Sequence, residues 1–199
     1  FLGGFKAVCW TDFFQGMLML VAILVVPVVV LEASVMIGGL GTRFEELSTS
    51  NPFYFTIFGD ASGGVLALVI GTVSSLAWGL GYFGQPHILV RFMAIRSADD
   101  VKVARRIAVV WVALSLAGAV AVGVLGRLAG GPTLEGPDAE KIFMVLVGLL
   151  FPGVLAGVFL AAILSAIMST ADSQLLVTTS AFTEDFYRAF LRKNASDRE

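Results

Sequence analysis

Ala166, Ser169 and Thr170 stand at i, i+3 and i+4, a spacing that puts all three on one face of a helix. Two hydroxyl oxygens and a carbonyl with a spare lone pair are hard ligands, the kind an alkali or alkaline-earth cation needs when it sheds water. A structural reading stays open beside this one, because serine and threonine in apolar helices bond back to the carbonyl four residues earlier. Asp172 adjoins the cluster, with Gln174 next to Ser173. An ionisable group on an apolar helix is costly enough to be a functional candidate. Asp172 reads either as a gate or ion-path residue or as a structural hydrogen-bonding group.

A second constellation is the interruption Trp78-Gly79-Leu80-Gly81-Tyr82-Phe83-Gly84-Gln85-Pro86 between two apolar halves. In hydrocarbon, a helix breaks only where protein or a wet cavity satisfies the freed backbone groups, so the break points to a binding site at membrane depth. Trp78 and Tyr82, four residues apart, could wall a small organic ligand beside exposed backbone. The alternative is a kinked helix whose rings simply pack. His87, the single histidine, and Cys9, the single cysteine, have no companions for a metal site. Cys9 is expected to be a packed, unreactive thiol. No nucleophile elbow, phosphate loop or zinc motif occurs, which leaves an enzyme reading without residues.

The elements that position these residues are written in the hydropathy. The 199 residues are 57% hydrophobic and 14% charged, with a mean hydropathy of +0.90, the composition of a polytopic membrane protein. At about 20 apolar residues per crossing, spans are expected at 13–37, 63–90, 107–125 and 152–177. The stretch 139–150 is too short to cross and is expected to lie on the outer face. The loop 38–62 reads as irregular, and Gly130-Gly131-Pro132 and Gly136-Pro137 are turn signals. Pro152 suits the first turn of the last span. Gly153, Gly157, Ala161, Ser165, Ser169 and Ser173 make a small-residue ridge that lets another backbone approach.

Charge sets the orientation. Apart from Arg43, Arg127 and Lys141, the basic residues, ten of thirteen, fall on one side of the expected spans, which the positive-inside rule makes the cytoplasm. Both ends of the chain are then cytoplasmic. In the tail 178–199, Phe182, Phe186 and Phe190 recur beside Arg188, Arg192 and Lys193, the pattern of a helix anchored at the membrane interface. Asp12 and Glu32 lie near span ends, where interfacial solvation accounts for them. The net charge of -2 comes with no basic stripe, which argues against nucleic acid as a partner. The opening Phe1-Leu2-Gly3-Gly4 carries no charged n-region or cleavage site, and the chain reads as an internal piece of something longer.

Ala77 to His87, followed by Arg91-Phe92-Met93, resembles a helix of the solute:sodium symporter family, in particular its bacterial sodium- and proline-carrying members. Ala161 to Gln174 with Thr183-Glu184-Asp185 is similar to a later helix of the same proteins. Lys6-Ala7-Val8 with Trp10-Thr11-Asp12 is similar to the entry of an earlier one, so the likeness runs over nearly the whole chain. The resemblance implies an all-α, polytopic inverted-repeat bundle of the LeuT type, of which this chain carries the last helix of the first repeat and the first three of the second. It also implies that Ala166, through its carbonyl, and Ser169 and Thr170, through their hydroxyls, are sodium ligands. Trp78, Tyr82 and Pro86 fall on positions tied to proline binding. The implied activity is sodium-coupled symport of L-proline or a similar small solute across the inner cell membrane, with the lipid bilayer as surroundings and no cofactor beyond sodium as coupling ion. A rival reading is the transporter-like membrane domain of a sensory kinase, which would continue into soluble signalling modules.

Overall fold

A computed structural model describes residues 4–37, 39–53, 55–56, 64–82, 84–129, 134 and 136–192, with the side chains of Ile37 and Trp78 outside that set. Phe83, the Gly130-Gly131-Pro132 turn signal, and Lys193 and Arg198 of the tail also lie outside it. Among the described residues all regular structure is helical. Four helices are long and apolar enough to cross a membrane, as an all-α transmembrane protein requires.

Helix α1, Gly4–Ile37, has 34 residues and contains Pro27. At about 1.5 Å per residue it is roughly 50 Å long, well beyond the hydrocarbon thickness, so it tilts or projects past it. It begins at Gly4 rather than near Phe13, because nothing in Phe5 to Asp12 breaks a helix. Ala22, Val26 and Val30, at successive intervals of four, form its buried ridge. They join a single core with Val122, Leu146, Val147, Phe159 and Ala162. Cys9 is exposed rather than packed, since it lies off that ridge.

The segment expected as an irregular outer loop contains helix α2, Leu40–Ser50, whose Arg43 and Glu46 pair across one turn at 3.7 Å. The expected span 63–90 is divided into α3, Gly64–Tyr82, and α4, Pro86–Met93. None of the described residues of α3 is buried. Helix α5, Ala98–Leu128, starts at Ser97, whose hydroxyl accepts from the Asp100 N–H at 3.2 Å, with Asp99 and Asp100 in the first turn.

A 3-10 turn, Gly136–Lys141, leads into α6, Ile142–Leu150. Helix α6, too short to span, packs on α1, α5 and α7 and gives Leu146 and Val147 to the core. Its all-apolar sequence leaves no polar face to turn to water: Leu146 and Val147 face the bundle, and Met144 and Leu149 stay exposed on the other side. Pro152 is the N-cap of α7, Gly153–Ala181, one position before the expected first turn. Beyond Ala181 the rod continues as a π-helix, Phe182–Leu191, in which Arg192 N–H donates to the Tyr187 carbonyl at 2.9 Å.

Helices α1 and α5 meet at Gly118, where a Cβ would lie 2.8 Å from the Ile23 carbonyl oxygen. At Gly126 the nearest atoms to the corresponding Cβ would belong to the side chains of Ile142, 2.8 Å away, and Leu146, 3.0 Å away. A backbone atom cannot step aside, whereas those side chains can change rotamer. Gly118→Ala is therefore expected to destabilise the bundle by about 1–3 kcal/mol and Gly126→Ala by less. Thermal unfolding in detergent compares them; equal midpoints would show that the α1–α5 approach is not tight.

Candidate functional site

On α7 the Ser169 hydroxyl donates to the Ala166 carbonyl at 3.3 Å, and the Thr170 hydroxyl donates to the same oxygen at 3.2 Å. Of the three oxygens picked out by spacing, the two hydroxyls thus meet at the carbonyl. In this state both hydroxyls are back-bonded as apolar helices favour, and each can turn its lone pairs outward by rotating one C–O bond. Ala166 and Ser169 are half-buried and Thr170 is exposed, so the cluster opens away from α7 rather than into the core. Among the described residues no three of His, Cys, Asp and Glu come together.

One turn further on, Ser173 is buried and belongs to a polar junction of three helices. Its hydroxyl lies 2.9 Å from the Ser169 carbonyl and 3.2 Å from Asp12 Oδ2. Arg91 of α4 donates through Nη2 to Ser173 Oγ at 2.5 Å and forms a salt bridge with Asp12 Oδ2 of α1. The Asp12 side chain is 10% exposed and that of Arg91 44%, so the carboxylate is the desolvated partner. Asp12 is thus paired at a helix junction as well as lying near the start of α1: a carboxylate so largely covered by protein needs a counter-charge. The sequence signal was present as an acid on a membrane-length helix, but its partner is 79 residues away and no local pattern announces it.

Asp172 is half-buried and does not join the oxygen cluster. It lines a cavity of about 450 Å³ between the start of α1 and the far half of α7, together with Thr11, Thr179, Thr183 and Glu184. The remaining lining is mainly apolar, with Ala7, Val8, Leu175 and Leu176 beside these polar groups.

The break between α3 and α4 is shorter than the sequence suggested. Trp78 and Tyr82 are helical, in the last turns of α3. Only then does the chain turn, with Gly84 N–H donating to Gly81 O at 3.2 Å and Gln85 N–H to Tyr82 O at 3.3 Å. Pro86 restarts the helix at the first position of α4, where its missing N–H costs nothing. Tyr82 and Pro86 flank the turn, Trp78 lies one turn before Tyr82, and Tyr82 is 50% exposed. His87 is half-buried on α4. The break and the oxygen cluster are linked through α4, which packs on α7 and places Arg91 at Ser173.

A family model described as the Sodium:solute symporter family matches residues 1–199. The chain is 48% identical to the high-affinity proline transporter PutP of Bacillus subtilis (strain 168), over 99% of this chain and 40% of that protein. It is 47% identical to the osmoregulated proline transporter OpuE of the same strain, over 99% of this chain and 38% of that protein. It is 44% identical to the sodium/proline symporter of Escherichia coli (strain K12), over 100% of this chain and 39% of that protein. It thus spans about two-fifths of the length of these relatives. No solved structure matches it. With membrane-length apolar helices, a Gly/Pro break and a full-length family match in agreement, the chain belongs to the sodium:solute symporter family and is part of an integral membrane protein.

Proposed function

We propose that this chain forms part of a symporter that couples sodium entry to uptake of L-proline across the cell membrane. The observation that carries the reading is that the Ser169 and Thr170 hydroxyls both lie within 3.3 Å of the Ala166 carbonyl oxygen, in a chain 44% to 48% identical to proteins named for proline transport. A sodium ion arriving there turns the two hydroxyl protons away from the Ala166 carbonyl. It gains three oxygens in exchange for two hydrogen bonds worth about 0.5–1.5 kcal/mol each. Other parts of an inverted-repeat transporter complete its coordination.

Proline sits at the break, with the rings of Trp78 and Tyr82 along its apolar ring and the backbone freed at Pro86 near its polar groups. Asp172 lies on the ion's path to the aqueous side. The excess of Lys and Arg around α4, the start of α5 and the tail makes that side the cytoplasm, with both chain ends there. Sodium binding favours the outward-open form that takes proline, and reciprocal linkage makes proline tighten sodium by the same factor. Rocking of one repeat against the other then exposes both to low internal sodium. No bond is made or broken.

Labelled proline uptake into vesicles with an imposed sodium gradient tests the reading. Accumulation is expected with sodium outside and none with potassium as the sole external cation. Equal accumulation in both would end the proposal. Competition by unlabelled solutes identifies the preferred substrate.

A further inference from the structure

We propose that Arg91 is a positioning residue for the oxygen cluster: by holding the Asp12 carboxylate it decides which acceptor takes the single proton of Ser173, and so sets the shape of α7 beside Ser169. The inference rests on the sodium-coupled reading above. A serine hydroxyl has one proton to give. Ser173 has two acceptors within reach, the Ser169 carbonyl at 2.9 Å and Asp12 Oδ2 at 3.2 Å. An ionised carboxylate is ordinarily the stronger acceptor. Here its Oδ2 is already claimed by the Arg91 guanidinium, which also donates to Ser173 Oγ at 2.5 Å. The shorter contact is accordingly the one to the Ser169 carbonyl.

The other carboxylate oxygen, Asp12 Oδ1, is buried without a hydrogen-bond partner. Among the described residues, Arg91 is the only cation paired with Asp12. Withdrawing the guanidinium leaves the carboxylate to draw the Ser173 proton and release the Ser169 carbonyl. A serine bonded back to the carbonyl four residues earlier bends its helix. The proton's position therefore changes the curvature of α7 at the turn carrying Ser169 and Thr170. Arg91 sits on α4, directly after the break that carries Tyr82 and Pro86. A shift of α4 as substrate settles at the break is transmitted through one side chain to the ion ligands.

Sodium titrations of proline uptake by the intact protein test this. Arg91→Gln is expected to raise half-saturating sodium about tenfold, while maximal rate and the proline KM at saturating sodium stay within about twofold. Arg91→Lys, which keeps the charge, recovers most of the shift. Ser173→Ala, with no proton to switch, raises half-saturating sodium in the same direction, and Arg91→Gln added to it produces no further change, the signature of a shared pathway. If Arg91→Gln does not reach the membrane, Arg91→Lys with and without Ser173→Ala gives the same cycle. Shifts that simply add, or unchanged sodium affinity in both single variants, overturn the inference and leave sodium-dependent uptake standing. Wild-type uptake indifferent to sodium removes the symport reading instead.

Discussion

Ser169→Ala and Thr170→Ala are each expected to raise the sodium concentration that half-saturates proline uptake by on the order of ten- to hundredfold. Each removes one of two hydroxyls that meet at the Ala166 carbonyl, at 3.3 and 3.2 Å. A polar contact to a charged group contributes about 1.5–3 kcal/mol, and about 1.4 kcal/mol is a factor of ten in affinity. Thr170→Ser, which keeps the oxygen, should remain close to the parent. His87→Ala, on α4 and outside the cluster, should leave sodium dependence unchanged. Uptake measured across a sodium series decides the matter: normal sodium affinity in both alanine variants would mean that the hydroxyls serve only the helix.

Tyr82→Leu is expected to raise the proline KM about tenfold or more, with half-saturating sodium little changed. The ring lies at the end of α3, half-exposed beside the turn at Gly84 and Gln85. Covering it with a small apolar ligand contributes about 1.5–3 kcal/mol if the burial is complete. Tyr82→Phe keeps the apolar wall and should lose much less. Trp78→Leu, one turn earlier on the same helix, should act in the same direction. Proline affinity unaltered by Tyr82→Leu would return the ring to simple packing.

Much of this was legible in the sequence because the bilayer enforces length and apolarity. The four long helices and the Gly/Pro break follow from that constraint alone. The three oxygens of α7 were legible as a cluster because helical spacing is a local property. The extent of the break was overestimated: Gly79 and Gly81 stay within α3, since hydrocarbon tolerates glycine in a helix that water would loosen. Helix α2 was missed because Glu45, Glu46, Ser48, Asn51 and Pro52 are loop-like in composition, although Leu40, Phe44 and Leu47 stand at i, i+4 and i+7 on one face of Leu40–Ser50. The placement of Leu146 and Val147 in the core depended on a space between α1, α5 and α7 that sequence cannot display. The Asp12–Arg91–Ser173 junction is the clearest gap, because it joins three helices and exists only once they have packed.

Helix α3 has no buried residue among those described. Its 19 residues, roughly 28 Å from end to end at about 1.5 Å per residue, include no charged one, and Val65, Leu66, Val73 and Leu80 are all exposed. A helix without a charged flank is one that acyl chains or other helices must enclose, which confines its contact with water to its two ends.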